Sequence, residues 1–411
     1  MNIQRVSRGW SRVAIVVCAF GVLFTWSSRA SAYAWMIRHE YAGCNMCHAD
    51  PSGGGLLTEY GRAQSEVLLR THYGFEGAKE EPGNAGEFLF GAVKLPESVL
   101  LGGDFRVMQL HMEVPGSPAT DQLIWMQADM EGQWSLDRFH VNGSIGYVPL
   151  GDLPASLTHS SQENLISRVH WVGVDLDEDK QWMVRAGRMN LPFGIRSIEH
   201  TLWVRTQTRT DTDATQEDGV SLAFNGTGLR GEVLAIVGNM QLSPAAYRER
   251  GYSAFVEWAP TTGLAVGVDS LITHADRDVV LQTPLWRQAH GVFGRWSPAR
   301  IVVISSEWAL TFESQPPTAT AGATNTSGTA GYLQLDVEPL QGVHVGATGE
   351  LEDTPLSGPT SSPPSLGAWG TLQWFFAPHV DIRADAIVQS LASGSTHTNV
   401  TTLLGQFHAF L

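Results

Sequence analysis

Two thiols and an imidazole stand close together near the start of the chain, as Cys44, Cys47 and His48 in the segment CNMCH. The spacing C-x-x-C-H is typical of covalent haem attachment, because both thiols then reach the vinyl groups of one porphyrin. The imidazole that follows falls beneath the iron. Cys44 and Cys47 are therefore the predicted thioether cysteines of one covalent haem c, and His48 is its predicted proximal ligand.

Three other roles remain open for the same residues. A thiol–disulfide redox motif would be expected in a βαβ context, but a Gly-rich stretch, residues 53–55, follows instead. A zinc site would use Cys44, Cys47, His48 and His39, although sequence-adjacent Cys and His side chains rarely share one closed tetrahedron. A disulfide between the two cysteines is the third alternative.

The sixth ligand of the haem iron is predicted separately. His72 is the first choice, because it follows a short helix-like stretch, residues 58–70, that is suited to packing on a porphyrin. Five-coordinate iron is the alternative, and it would permit ligand binding or peroxidase chemistry. Further candidates of suitable chemistry are His39, Met36, Met108, His111 and Met112.

The residues after the motif suggest how a flat cofactor is held. Glycines 53–55 permit close approach of the backbone, and Thr58 is a predicted helix N-cap. Arg62 is the candidate partner of a haem propionate. The alternative for this stretch is a flexible loop with a solvated Arg62.

The first 32 residues read as a signal peptide for export. Arg5, Arg8 and Arg12 form a basic region, residues 13–26 are apolar, and residues 30–32 read Ala-Ser-Ala. Its cleavage removes one of the three cysteines and leaves both remaining cysteines in the C-x-x-C-H motif. Export agrees with the motif, because c-type haem is attached after export.

The overall charge limits the classes of partner. With 26 Lys and Arg against 41 Asp and Glu, the 411-residue chain has a formal net charge of -15. Such a charge argues against nucleic acid and anionic membrane surfaces as partners. It is compatible with cationic solutes or metal ions, and it also serves solubility.

From residue 88 to the end, apolar and polar residues alternate with a period of two. Residues 343–352, 379–389, 139–147 and 301–312 are clear examples, each with charged or polar side chains along one complete face. That pattern is typical of a water-filled barrel lumen with the apolar face turned to lipid. About sixteen such segments occur, and short connections alternate with long ones, as in outer-membrane barrels.

The predicted fold is therefore all-β, an antiparallel transmembrane barrel of about 16 strands with a small N-terminal helical and coil haem domain. The predicted domains are residues 1–32 as signal peptide, 33–87 as a monohaem cytochrome c-like domain or plug, and 88–411 as the barrel. The last strand presents Leu403, Phe407 and Leu411 on one mostly apolar face.

The longest predicted loop, residues 190–217, is rich in charge. We predict a solvated external loop. The alternative is a loop that folds inward, constricts the pore and sets its selectivity.

An exported C-x-x-C-H region joined directly to such a barrel resembles the fused monohaem cytochrome–porins of the bacterial outer membrane, best known from iron oxidisers. The resemblance covers the architecture of the mature chain, and its specific motif is Cys44, Cys47 and His48. It implies electron passage across the outer membrane, with the haem on the periplasmic side or in the lumen. A redox protein is thereby implied rather than a conventional enzyme.

The resemblance also implies partners. These are an extracellular donor such as Fe(II), periplasmic c-type cytochromes or other soluble electron carriers, and outer-membrane lipid, but no nucleic acid. Two other functions stay open: a porin for a small solute with a structural haem plug, and a haem peroxidase or sensor tethered to the barrel.

Overall fold

The computed structural model describes residues 34–41, 43–73, 83–147, 165–197, 199, 201–211, 215–238, 248–278, 281–317, 322–356 and 363–411. The predicted signal peptide lies outside the described residues. None of the helices in the described ranges is long and apolar enough to span a membrane.

Strands dominate the chain after residue 98 and form one antiparallel sheet. Segments β4 and β5 pair one after the other with β3, so they make one barrel strand and the sheet has 16 strands. The segments are β1 Val99–Glu113, β2 Thr120–Leu136, β3 Phe139–Tyr147, β4 Leu165–Ile166, β5 His170–Asp175, β6 Trp182–Met189, β7 Glu217–Gly226, β8 Leu229–Gly238, β9 Glu249–Thr261, β10 Leu264–Ala275, β11 Leu285–Ala299, β12 Val302–Gln315, β13 Thr324–Leu340, β14 Val343–Asp353, β15 Ser365–Ala377, β16 Val380–Ser393 and β17 Thr396–Phe410.

The sheet closes on itself between its first and last strands. β1 pairs with β2 on one side and with β17 on the other, with Asp104 opposite Phe410 at the seam. The amide of Leu411 also donates to the carbonyl of Gly103, at 2.9 Å. Closure leaves no strand edge unpaired, which a sheet surrounded by lipid requires. The predicted barrel is confirmed.

Side chains alternate across the barrel wall as the sequence pattern indicates. In β16, Asp381 and Arg383 face the interior with 0% and 6% exposure, whereas Ile382 and Val388 face outward with 41% and 53%. In the last strand, Phe407 is exposed on the outside. The lumen is therefore polar and the outer surface apolar, as expected for a barrel in a bilayer.

The strand connections differ in length between the two rims. On one rim they are mostly tight turns, such as residues 227–228, 262–263 and 341–342, with one longer connection at residues 176–181. On the other rim they are longer, with one exception at residues 394–395 between β16 and β17. The two ends are called the short-turn rim and the long-loop rim below.

The first strand starts later than the predicted barrel boundary at residue 88. Residues Phe88–Gly91 form a 3-10 turn, in which Leu89 and Phe90 have φ angles of 49° and 56°. Left-handed backbone of this kind does not fit a pleated ladder. β1 accordingly begins only at Val99.

Residues 34–41 and 43–73, here called the plug segment, lie inside the barrel at its short-turn rim. The segment contains a 3-10 helix, Ala34–His39, and helix α1, Glu59–Gln64, which continues as a π-turn over Ser65–Leu69. Thr58 caps α1 as predicted, since its hydroxyl accepts a bond from the amide of Gly61. The apolar residues of the plug pack against wall side chains, with Trp35, Met36, Ile37 and Leu69 meeting Ala265, Val303, Phe375 and Phe410.

The described residues of the loop between β6 and β7, 190–197, 199, 201–211 and 215–216, fold into the lumen and are here called the inward loop, so the predicted solvated external loop was wrong. Its short helix α2, Trp203–Thr208, lies against β12, β13 and β14. The Arg205 guanidinium is 2.8 Å from a carboxylate oxygen of Glu307 on β12. Side chains of opposite charge on the wall pair with the charged side chains of the loop. This pairing offsets the free-energy cost of removing the loop's charges from water, and it favours the inward position.

Candidate functional site in the barrel lumen

The C-x-x-C-H motif forms a compact turn within the plug segment. The amides of Cys47 and His48 both donate to the carbonyl of Cys44, at 3.2 Å and 3.0 Å. Both cysteines are buried, with 6% and 2% of their surface exposed, and no disulfide joins them. The turn thus holds the two thiols and the imidazole close together inside the barrel.

Helix α1 packs directly onto this turn. The amide of Thr58 donates to the carbonyl of Cys47, at 2.9 Å. A Cβ atom at Gly61 would lie 2.3 Å from the same carbonyl oxygen, closer than side chains allow. Glycine at this position is therefore what lets the helix approach the motif.

The glycine stretch after the motif wraps back over it. Gly53 adopts a φ of +96° and lies so close to Cys44 that a Cβ there would be 2.9 Å from the Cys44 Sγ. The sequence led us to expect close approach to a cofactor here. In the structure, Gly53 approaches the cysteine itself.

The imidazole of His48 is neutral and contacts the backbone through one of its nitrogens. Its Nδ1 lies 3.3 Å from the carbonyl oxygen of Gly55, which leaves Nε2 as the nitrogen for a metal. Burial lowers the pKa of His48 to about 4, so the ring is uncharged at neutral pH. A neutral imidazole with one nitrogen facing a backbone carbonyl is the usual form of a metal-ligating histidine.

A cavity of about 170 Å³ adjoins the motif, and part of it opens to solvent. Cys47 and His48 line it together with apolar side chains of the plug and wall. These apolar residues are Met36, Leu56, Leu57, Leu69, Val169 and Phe410.

Three arginines also line the cavity, and each forms an ion pair with a nearby carboxylate. Arg106 lies 3.0 Å from Asp104 on β1, and Arg168 lies 2.7 Å from Asp129 on β2. The third, Arg196, comes from the inward loop. The cavity therefore combines an apolar part with guanidinium groups of the kind that bind carboxylates in bidentate fashion.

Asp50 ties together the plug, the wall and the inward loop. Its carboxylate lies 3.2 Å from Arg185 on β6 and 3.2 Å from Arg196 on the loop. Burial raises the pKa of Asp50, but the two arginines more than offset this and hold it at about 2. Asp50 is thus ionised at neutral pH and links the segment that follows the motif to the barrel wall and to the inward loop.

The structure brings only some of the predicted site residues to the cavity. Cys47 and His48 line it, whereas the Sγ of neighbouring Cys44 lies 3.0 Å from an Arg230 guanidinium nitrogen on β8. Arg62 does not line it, because its guanidinium donates to the carbonyls of Gly86 and Leu101. Arg62 thereby links the plug to β1.

The sixth-ligand candidates are dispersed. His72 is half-buried and does not line the cavity. His39 lies 3.6 Å from Glu338, and His111 bonds to Asp121 at the long-loop end of β1. Met36 does line the cavity. In the described ranges, no group of three or more His, Cys, Asp or Glu side chains is placed to hold a metal ion, as the zinc alternative would require.

The cavity also contains residues that sequence reasoning did not single out. Arg106, Arg168 and His408 come from β1, the β4–β5 segment and β17, far apart in the chain. For Arg106 and His408, an inward position on a strand with period-two alternation was the only available signal.

Comparison with solved structures places the fold among outer-membrane porins. The chain is similar to OmpT of Vibrio cholerae, with a TM-score of 0.55 and 9% identity over 77% of this chain and 99% of that one. It is similar to an anion-selective porin from Comamonas acidovorans, at 0.54 and 12% over 76% and 99%. It is also similar to Pseudomonas putida OprB, at 0.53 and 9% over 76% and 94%.

No protein-family model matches the chain, and a search of curated proteins gives no match. At these identities the similarity concerns the fold. The chain has the 16-stranded antiparallel barrel of outer-membrane porins, with a polar lumen that holds the C-x-x-C-H segment.

Proposed function

We propose that this protein is an electron-transfer protein of the bacterial outer membrane that carries one covalent c-type haem within its barrel. The observation that carries this proposal is the position of the C-x-x-C-H turn. It lies inside the lumen, and Cys47 and His48 line one cavity together with apolar and arginine side chains. Haem bound there supplies one-electron chemistry.

The residues of the site fit such a group. Cys47 lines the cavity directly, whereas attachment through Cys44 would require its Sγ to leave the Arg230 guanidinium, which lies 3.0 Å away. His48 offers Nε2 to the iron, because Nδ1 faces Gly55. These are the three groups that the motif requires.

The remaining cavity residues match the two parts of a haem. Apolar side chains such as Met36, Leu69 and Phe410 exclude water from a porphyrin plane. Arg106, Arg168 and Arg196 offer charged donors to propionate carboxylates. We thus assign propionate binding to the cavity arginines rather than to Arg62, which holds the plug in place.

The two rims are the two ends of the proposed route for electrons. We propose that an extracellular donor such as Fe(II) delivers electrons from the long-loop side, and that periplasmic c-type cytochromes or other soluble carriers accept them at the short-turn side. The formal charge of -15 tolerates a cationic donor. The lumen contains both the plug and the inward loop, which supports electron relay over free diffusion of a solute.

The first test is chemical. Protein purified from the outer-membrane fraction should give a positive pyridine haemochrome, and the Cys44→Ala, Cys47→Ala double variant should give none. The variant serves as its own folding control if it still migrates as a heat-modifiable barrel. A folded wild-type barrel without haem would contradict the proposal.

The second part of the test concerns transfer. Proteoliposomes are loaded with an oxidised soluble cytochrome c, and Fe(II) is added outside. Reduction of the internal cytochrome should require the haem-bearing protein and fail with the double variant. Solute conductance with an inert haem would point to the porin alternative, and peroxide turnover by five-coordinate haem would point to the peroxidase alternative.

A further inference from the structure

The cavity beside His48 offers few atoms that ligate haem iron. Haem proteins use histidine, methionine, cysteine or tyrosine as axial ligands. Among the described residues that line the cavity, these types are represented by Met36, Cys47, His48 and His408. Cys47 belongs to the covalent attachment and His48 is the proximal ligand, so Met36 and His408 remain.

His408 is engaged elsewhere through both of its nitrogens. Its Nδ1 lies 2.8 Å from Asp381, and its Nε2 lies 3.3 Å from Asp104. All three side chains are on the inner face of the wall, and His408 is 3% exposed. Moving this ring to an iron atom would leave two inward-facing carboxylates without their partner, which is costly at low exposure.

Met36 has the opposite properties. It is 2% exposed, and a thioether is at most a weak acceptor, so its burial leaves no strong polar group unsatisfied. Its sulfur is a soft ligand of the kind found opposite histidine in electron-transfer haems.

The backbone around Met36 is fixed to the barrel on both sides. Trp35 stacks on His344 of β14, with ring centroids 4.2 Å apart. Arg38 forms ion pairs with Asp336 and Glu338 of β13. Such anchoring presents the Met36 side chain to the cavity without further ordering, which is what a weak thioether ligand needs.

We propose that the Met36 thioether is the second axial ligand of the haem iron, paired with His48. This inference rests on the proposed function. It assigns the role that the sequence had given first to His72, and it makes the iron six-coordinate. Six-coordinate iron with a thioether ligand has a raised reduction potential and no open position for peroxide, which suits electron transfer.

The test uses leucine, which has nearly the volume of methionine but no sulfur. In Met36→Leu, the ferric spectrum should change from low-spin to high-spin, the ferrous haem should bind carbon monoxide, and the reduction potential should fall. Met46→Leu, at the half-buried methionine between the two cysteines, is the matched control and should leave all three unchanged. His72→Ala should also leave them unchanged.

A third variant distinguishes loss of the proposed iron ligand from general damage to the fold around Met36. Met36→His should restore a six-coordinate low-spin spectrum with a potential below that of the wild type, because imidazole favours ferric iron more than a thioether does. Wild-type spectra in Met36→Leu together with a high-spin His72→Ala would overturn the assignment. A negative pyridine haemochrome in the wild type would instead remove the proposed function and, with it, this ligand.

Discussion

At the scale of single residues, Gly61 decides how closely helix α1 approaches the two cysteines. The space for a side chain at this position is already taken by the Cys47 carbonyl oxygen, 2.3 Å from where a Cβ would be. Because the obstacle is backbone rather than a flexible side chain, relief requires the helix or the motif to move. The glycine is therefore a packing requirement of the motif.

We expect Gly61→Ala to displace α1 and to reduce the yield of covalent haem per folded barrel. Overpacking of this kind costs about 1–3 kcal/mol. The yield is measured as pyridine haemochrome relative to barrel content in the outer-membrane fraction. Gly349→Ala is the control, since a Cβ there meets nothing within 4 Å. Equal haem yields in both variants would contradict this account.

At the scale of secondary-structure elements, the inward loop is latched to the wall through buried groups. Glu307 on β12 accepts from the amide of Ile195, at 2.9 Å, as well as pairing with Arg205. Glu199 pairs with Arg383 on β16, at 2.9 Å, and Glu350 on β14 accepts from the amide of Trp203, at 3.1 Å. The loop therefore contacts several strands on one side of the barrel.

Glu307→Gln should weaken the contacts that hold the inward loop against the wall, and it should therefore raise the single-channel conductance in planar bilayers. Glutamine preserves the shape but leaves Arg205 buried without its anionic partner, and removing one partner of a buried pair costs roughly 3–5 kcal/mol. The exposed pair between Arg138 and Glu178 on the short-turn rim offers the control. Glu178→Gln should conduct like the wild type. A Glu307→Gln channel with unchanged conductance would show that the latch does not hold the loop.

The elements differ in how well the sequence predicts them. The strands β14 and β16 were predictable, because each alternates strictly between a polar inner face and an apolar outer face. The position of the inward loop was not, because the partners of its charges lie on strands about 100 to 190 positions away in the chain, as in the Glu307 and Arg383 contacts. Pairing across that distance leaves no local pattern.

The residues of the candidate site likewise divide into those that the sequence could predict and those that it could not. Cys44, Cys47 and His48 are close together in sequence, so their spacing alone made them candidates for one site, and the structure places them in one turn. The cavity arginines and His408 become neighbours only when the barrel closes. Arg62 looked like a propionate partner because it is near the motif in sequence, yet its donors are used by backbone carbonyls.

At the scale of the whole molecule, the plug segment closes the short-turn end of the barrel from within. It contacts wall strands on several sides, for example through Thr71, whose amide donates to Phe375 of β15, and Ser65, whose hydroxyl contacts His379 beside β16. The wall itself is a continuous sheet whose pairing does not involve the plug. We therefore expect the barrel wall to fold without the plug segment.

Deleting residues 34–73 while retaining the signal peptide should yield a folded barrel with a several-fold larger conductance and no haem. The wall keeps its full ladder of backbone hydrogen bonds, including the β1–β17 seam, so heat-modifiable migration on gels should persist. Conductance is measured in planar bilayers beside the wild type and the cysteine double variant, which retains its plug. A deletion variant that conducts no better than the wild type would mean that the plug does not obstruct the lumen.

The attachment of the plug near the barrel's seam has a consequence for biogenesis. Arg62 donates to the carbonyl of Leu101 on β1, and Leu56 lies against Gly102 beside the terminal Leu411. Once β17 has paired with β1, Cys44 and Cys47 are enclosed by the wall. Under the proposed function, haem would have to be attached to these buried thiols before β17 pairs with β1, so that cofactor attachment would precede insertion of the closed barrel.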